Sequence, residues 1–443
     1  MKIFVTLAVV VAVATINVDA RKNWALLIAG SAGYDNYRHQ ADICHAYQIV
    51  HKAGIPDEQV VVMMYNDIAE NKENPYKSNI INKPDGPNVY PGVLKDYTGK
   101  EVTAKTFLAV LQGDKEAIYN QLGRNGKVIN SGPDDYVFVY FADHGAPGIL
   151  GMPNPPYLKA RELNEALKKM HTQKKFAKLT FYVEACESGS VFDKLLPKDI
   201  NIYVTTAANP DESSYACYYD DKRQTYLGDV YSVKWMENTD ASDLHTETLE
   251  TQFKKVKEET KTSHVQQYGD LAIDVLTLDK FIGENKQTNG SLSGFLLRPS
   301  STPITDAIPS EMVVLQSLKK RLAAAPENSL RKIELEQKLS KTVTTMKQTH
   351  KLIWDIARTV YSGLPENTVY DLTLKEHNDI NDWDCYETAV DTLLSFCPGL
   401  DLNTNDFALR KLYALVNLCN NNPQDKVLRA VEAASVANSL CFA

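Results

Sequence analysis

Five short apolar runs, at 24–29, 60–65, 136–141, 179–183 and 202–206, constrain this chain more than any other feature. Each is almost continuously apolar and too short for an ordinary helix, which is the pattern of a strand covered on both faces. Helical spacings at 39–53, 105–119 and 161–170 fall between several of them. Such alternation predicts an α/β fold, a mainly parallel sheet flanked by helices. Sites in sheets of this kind gather at the carboxyl ends of strands, where Ser31, Gly33, His144, Cys186, Ala207 and Asn209 all stand. The stretch 70–97, rich in Asn, Pro, Lys and Gly, reads as a long surface loop.

The chain has 443 residues, more than one average domain needs, and its texture changes twice. Residues 284–328 are polar, Pro- and Gly-rich and poorly periodic, which is linker chemistry, with a short helix expected over 311–325 and ended by Pro326. From 329 onward the spacing is helical: Ser329 can cap a helix carrying Leu339, Val343, Met346, Ile353, Ile356 and Val360, stopped by Gly363 and Pro365. Further helices fit 386–396, 407–417 and 426–439. At the other end, Lys2, an apolar run over 3–16 and small residues up to Ala20 read as a secretory signal peptide, too short to serve as an anchor. The expected division is therefore a signal peptide (1–20), an α/β domain (21–283), a linker (284–328) and an all-α tail (329–443). A formal charge of −8 argues against a nucleic-acid binder, and no later run is long enough to span a membrane.

The seven cysteines split three and four. Cys385, Cys397, Cys419 and Cys441 crowd the tail of a chain that enters the secretory pathway, which suggests two disulfides with three connectivities open. An odd total leaves at least one free thiol, and Cys186 is the candidate. It ends an apolar strand and is followed by a Gly/Ser turn, as His144 is by Gly145. A thiol of ordinary pKa, about 8.5, is mostly neutral at pH 7, so a hydrolytic cysteine needs a base nearby. Neighbouring strand ends would bring the two together. Cys186 would then attack a carbonyl carbon, His144 would manage the proton, and the backbone N–H groups of Gly145 and Cys186 would hold the oxyanion. Cys-Glu-Ser offers no second ligand at metal spacing, so neither a metal nor a cofactor is expected.

The segments Ala142-Asp143-His144-Gly145, Glu184-Ala185-Cys186-Glu187-Ser188-Gly189-Ser190, 33–42 and 205–217 resemble the legumain family of asparaginyl endopeptidases, plant vacuolar processing enzymes among them. The likeness runs from about Asn23 to the C-terminus. It implies a caspase-like peptidase domain, cleavage after Asn and more weakly after Asp at low pH, and an inhibitory prodomain released in acid. In this reading Asn36 orients His144, Arg38 and His39 donate to the substrate side chain, Glu184 and Asp229 accept from it, and Ser213 and Ser214 line the pocket. Asp143 becomes a succinimide candidate tied to peptide ligation. Asn328 becomes the self-cleavage position, with Asn285 and Asn289 weaker, and Arg410 faces Glu187 as a latch. Family pairing gives Cys385–Cys419 and Cys397–Cys441. Asn289 is also a glycosylation sequon. The resemblance implies protein and peptide substrates, the chain's own prodomain as inhibitor, cystatin-type inhibitors and a zymogen dimer as partners, and a lysosome- or vacuole-like compartment or secretion. The Arg-Gly-Asp tripeptide of some mammalian relatives reads Gln112-Gly113-Asp114 here. The rivals are the related anchor-attaching transamidase, which expects a membrane segment, and a non-catalytic binding protein, which expects the nucleophile or histidine to be missing.

Overall fold

The computed structural model describes residues 21–284, 303–400, 402, 405–438 and 441. The signal peptide, Asn285 and the Asn289 sequon lie outside the described residues.

The apolar runs become strands β1 (Asn23–Ala29), β2 (Val60–Met63) and β3 (Tyr136–Ala142). Three short strands follow, β4 (Gly145–Ala146), β5 (Ile149–Leu150) and β6 (Leu158–Lys159), then β7 (Lys178–Glu184) and β8 (Ile202–Thr206). A hairpin of β9 (Tyr215–Asp220) and β10 (Thr225–Asp229) precedes β11 (Gln266–Gly269), and β12 (Ile308–Pro309) comes last. The main sheet has the order β11-β8-β7-β3-β1-β2, all parallel except the edge strand β11. Its inner strands β1, β3 and β7 are buried at every residue after the first, as continuous apolar runs require. The expectation of a mainly parallel sheet flanked by helices therefore holds.

One face is covered by α1 (Tyr37–Lys52), the other by α2 (Ala104–Leu111), α3 (Lys115–Leu122) and α4 (Ala160–Thr172). The expected helix at 105–119 is two helices, because Gly113 adopts a left-handed φ of 70° and Asp114 caps α3 by accepting from Ala117 N. α5 (Val230–Ala241), α6 (Leu249–Glu259) and α7 (Asp279–Ile282) complete the layer beside α1. The stretch 70–97 is irregular as expected but not superficial: Ile80, Ile81, Val89, Val93 and Tyr97 are buried. The apolar residues between its turns pin it against the core, and its Asn82 is buried too.

The described part of the linker, 303–328, is more ordered than its composition suggests. β12 pairs antiparallel with β9, and α8 (Val313–Ala324) ends before Pro326. Arg321 on α8 is buried, donating from Nε to Gln224 O at 2.8 Å and pairing with Asp35 at 2.7 Å. Beyond it, Ser329 caps α9 (Leu330–Val360) by accepting from Lys332 N at 3.1 Å. The remaining helices are α10 (Glu366–Tyr370), α11 (Trp383–Phe396), α12 (Asp406–Lys411), α13 (Tyr413–Asn421) and α14 (Gln424–Ala437). The helix expected at 407–417 is thus divided near Leu412. Disulfides join Cys385 to Cys419 and Cys397 to Cys441, while Cys44, Cys186 and Cys217 are unpaired and buried. No helix among the described residues is long and apolar enough to cross a membrane.

The helical tail lies on the carboxyl end of the sheet. Its core includes Ala146, Ile149 and Tyr157 of the α/β domain, and Tyr386 donates to Pro147 O at 2.8 Å. Ion pairs ring this contact: Lys159 with Asp391, Arg161 with Asp384 and Glu387, and Lys194 with Asp379.

Candidate active site

Sheet register brings the two reactive residues together. β3 and β7 are parallel neighbours with Ala142 opposite Glu184, and Asp143 N–H continues the ladder to Glu184 O at 3.0 Å. His144 and Cys186 each stand two residues past those partners, at matching offsets on adjacent strand ends. Gly145 follows where a Cβ would lie 2.1 Å from Cys186 O, so no side chain fits there.

His144 is buried and donates from Nε2 to Asn36 Oδ1 at 2.8 Å, while Asn36 Nδ2 donates to Ala32 O. This bond fixes the tautomer and leaves Nδ1 as a lone pair with no partner among the described residues. Burial, with Arg38 adding repulsion, depresses the imidazole well below its usual range. Cys186 Sγ accepts from Ser214 N at 3.3 Å and lies 3.7 Å from Ser214 Oγ. Burial, followed by the nearby Glu311 carboxyl, pushes the thiol up to about 12. In this state the nucleophile is a neutral thiol, and no hydrogen bond joins it to His144.

Next to this pair is a buried polar recess. Arg38, at the start of α1, donates from Nε to Asp229 Oδ1 at 2.8 Å. Glu184, at the end of β7, accepts through Oε2 from Ser232 N and Oγ at 3.0 and 2.8 Å, near the N-terminus of α5. His39 shares a 2.7 Å hydrogen bond with Ser31 and lies edge-on to His144, 4.7 Å between ring centres. Three atoms of this recess have no protein partner among the described residues: Arg38 Nη2, Glu184 Oε1 and Asp229 Oδ2. Asp143 is buried 3.4 Å from His39, and burial raises its carboxyl well above the usual range. Among the described residues only His39, Asp143 and His144 put three metal-binding atoms within 4.8 Å of one another. His39 Nδ1 and His144 Nε2 already serve Ser31 and Asn36, so the grouping belongs to the histidine network.

The site residues read from sequence fall into two places. Asn36, Arg38, His39, Asp143, His144, Gly145, Glu184, Cys186, Ser214 and Asp229 converge on the strand ends, and the buried Ser213 beside them donates from its side chain to Glu311 Oε1 at 3.0 Å. Glu187 and Arg410 form an ion pair across the domain contact. Asn328 stands apart, in a left-handed conformation just before the cap of α9. Three further residues did not emerge from the sequence. Asp406 reaches 3.3 Å from His144 Nε2, and burial raises its carboxyl to about 7. It lies one turn before Arg410, and helical spacing from that latch residue was the only signal pointing to it. Glu311 is brought over Cys186 by the linker. His377 stacks on Tyr413 and lies 3.1 Å from Arg410 Nη2.

A strand-end thiol beside an oriented imidazole belongs to nucleophilic acyl-transfer chemistry, the class of the cysteine hydrolases. Comparison with known proteins narrows this. Residues 23–284 match the Peptidase C13 family and residues 337–436 the legumain prodomain. Legumain from Bos taurus is 48% identical over 411 residues, covering 92% of each chain. Legumain from Homo sapiens is 45% identical over 404 residues, 90% of each. A vacuolar-processing enzyme from Vicia sativa is 40% identical over 94% of this chain and 86% of its own. A solved caspase-1 from Spodoptera frugiperda is similar at a TM-score of 0.35 and 11% identity, over 60% of this chain and 92% of that one, too slight to bear weight. The chain belongs to the peptidase C13 family. It is a cysteine endopeptidase carrying a legumain prodomain, with protein substrates.

Proposed function

We propose that the chain is the latent precursor of an endopeptidase that cuts after asparagine and is freed in acid. The observation that carries the specificity is the recess beside Cys186, where one donor, Arg38 Nη2, and two acceptors, Glu184 Oε1 and Asp229 Oδ2, have no hydrogen-bond partner among the described residues. A primary amide offers the converse set, one acceptor oxygen and two N–H donors. Glutamine would overreach the recess, and ionised aspartate would meet two carboxylates. Protonated aspartate resembles the amide, which is the basis for weaker cleavage after Asp at low pH. Cys186 attacks the carbonyl carbon, His144 Nδ1 takes the thiol proton and returns it to the leaving amine, and the N–H groups of Gly145 and Cys186 hold the oxyanion. Ser214 lines the cleft. As a buried neutral acid, Asp143 is an electrophile that a backbone amide nitrogen can attack with loss of water, the step a succinimide linked to ligation requires.

Latency is supported by two occupants of the cleft. The linker strand β12 pairs with β9, and Ser310 N–H donates to Ser214 O at 3.0 Å beside the thiol, so the linker lies along the cleft as an extended strand. From the tail, Asp406 reaches His144 and Arg410 pairs with Glu187. We assign residues 1–20 to the signal peptide, 21–283 to the peptidase domain, 284–328 to the activation linker, cut at Asn328, and 329–443 to the inhibitory prodomain. An acidic lysosome- or vacuole-like compartment, or secretion into one, suits this design.

The test is cleavage of matched peptides bearing Asn, Asp, Gln or Ala before the scissile bond, after incubation of the precursor at acid pH. Loss of the tail and a strong preference for Asn are expected, with Cys186→Ala inactive. An intact chain in acid, or equal cleavage of Asn and Gln peptides, overturns the proposal.

A further inference from the structure

Beneath the recess lies a carboxyl that neither motif nor family reading puts to use. Asp42 sits one turn beyond Arg38 on α1, is fully buried, and its carboxyl is in hydrogen-bond contact with that of Asp229. Asp42 Oδ1 accepts from Asn82 Nδ2 at 2.6 Å, and Asp229 Oδ1 accepts from Arg38. Each carboxyl then leaves its Oδ2 with no hydrogen-bond donor among the described residues. Two ionised carboxylates cannot satisfy each other, since both only accept, whereas one shared proton satisfies both.

We propose that Asp42 is a positioning and specificity-determining residue of the asparagine recess, a neutral acid that donates to Asp229 and holds it oriented toward the substrate amide. The proposal rests on the asparagine reading above. Every group facing Asp42 fits this assignment. Arg38 lies on its own helix, Asp229 ends β10, Glu184 ends β7, and Asn82 comes from the irregular stretch. Tyr140 of β3, Cys44 of α1 and Cys217 of β9 are raised by burial and stay neutral. The charged balance is therefore three carboxyls against one guanidinium in a site closed to water, and full ionisation would leave two uncompensated charges. Burial, then Asp229, raises Asp42 well above the usual range, while Arg38 partly offsets that burial at Asp229. Asp42 thus keeps the proton and Asp229 the charge. The path outward is short: Asn82 Oδ1 lies 2.8 Å from His45 Nδ1, and His45 Nε2 lies 3.0 Å from Asp240, so the buried acid connects to the far end of α5.

The sign follows. As pH rises through the pKa of Asp42, the donor is lost and a second charge appears under the recess, so recognition of Asn fails. Asp42→Asn keeps a donor that cannot ionise, and Asp42→Ala removes it. On acid-matured enzyme, kcat and KM are measured for Asn and Asp peptides from pH 4 to 8, with thermal melting to verify folding. Asp42→Asn should move the alkaline limb for the Asn peptide to higher pH by about one unit. Asp42→Ala should raise KM at least about tenfold with a smaller change in kcat. Asn82→Leu, which removes the bond favouring ionised Asp42, should also move the limb upward and serves if Asp42→Asn does not fold. Profiles that superimpose on wild type for Asp42→Asn, or for Asn82→Leu in its place, overturn the role of Asp42. Wild-type enzyme with no preference for Asn overturns the recess reading itself.

Discussion

Arg410 on α12 forms an ion pair with Glu187, the residue that directly follows the nucleophile. Glu187 is fully buried, and Arg410 also reaches the carbonyl of Asp211 with both terminal nitrogens at 3.2 Å. The contact ties the prodomain to the turn that carries Cys186, so in the proposed activation release of the tail would also loosen the surroundings of the nucleophile.

Arg410→Ala leaves Glu187 buried without its cation, a loss of about 3 kcal/mol, or about a hundredfold in the hold of the tail. The precursor should then shed its tail and gain peptidase activity at higher pH than wild type. Mass spectrometry of the chain across a pH series, read beside peptide cleavage, measures the midpoint. An unchanged midpoint would show that the latch contributes nothing.

The raised thiol gives a second expectation. With Cys186 pushed to about 12 in the precursor, alkylation by iodoacetamide at pH 7 should be very slow, because the thiolate is the reacting species. Removal of linker and tail takes away the burial and Glu311 together, and alkylation should rise at least about a hundredfold. Equal rates before and after maturation would contradict the burial argument.

The sheet and its site were legible because their signals are local. Apolar runs at 136–141 and 179–183 marked β3 and β7 within a residue, and a parallel sheet made His144 and Cys186 neighbours without further assumption. The roles proposed for Arg38 and Asp229 were not legible from residue types, since a lone arginine is usually a surface cation; only the resemblance singled them out. Asp42, Glu311 and Asp406 stayed hidden for a different reason. Their placement rests on contacts at sequence separations that no pattern encodes: Asp42 against the end of β10, Glu311 against Ser213 98 residues earlier, Asp406 against His144 from the helical tail. The 70–97 stretch misled because turn-rich composition reports irregular backbone and says nothing of burial.

The prodomain rests on its disulfides. Cys385–Cys419 and Cys397–Cys441 close loops with sequence separations of 34 and 44, and both bind the helices that carry the docking face. Each should contribute about 3–4 kcal/mol. Paired Cys→Ser variants should lower the melting temperature of the tail and make the precursor leaky at neutral pH, while the peptidase domain, whose three thiols are free, should keep its own transition. Calorimetry of the Cys186→Ala precursor, which cannot process itself, separates the two.

The proposed release in acid would draw on groups of opposite sign, and Asp406 would oppose it. His144 is held below its ordinary value of about 6.5 in the docked precursor. Whatever part of that burial the tail supplies contributes to docking fully above about 6.5 and is lost as pH falls below it, which favours release in acid. Asp406 is raised from 3.8 to about 7 by burial. Its contribution is complete below 3.8 and is lost as pH rises through about 7, so it weakens docking at and above neutrality. Asp406→Asn removes a penalty of at most about 4 kcal/mol at pH 8 and changes little at pH 4. In the Cys186→Ala background this variant should raise the melting temperature of the precursor at pH 8 and leave it nearly unchanged at pH 4. A loss at both pH values would mean that Asp406 is charged in the docked state and that His144 holds it as an ion pair.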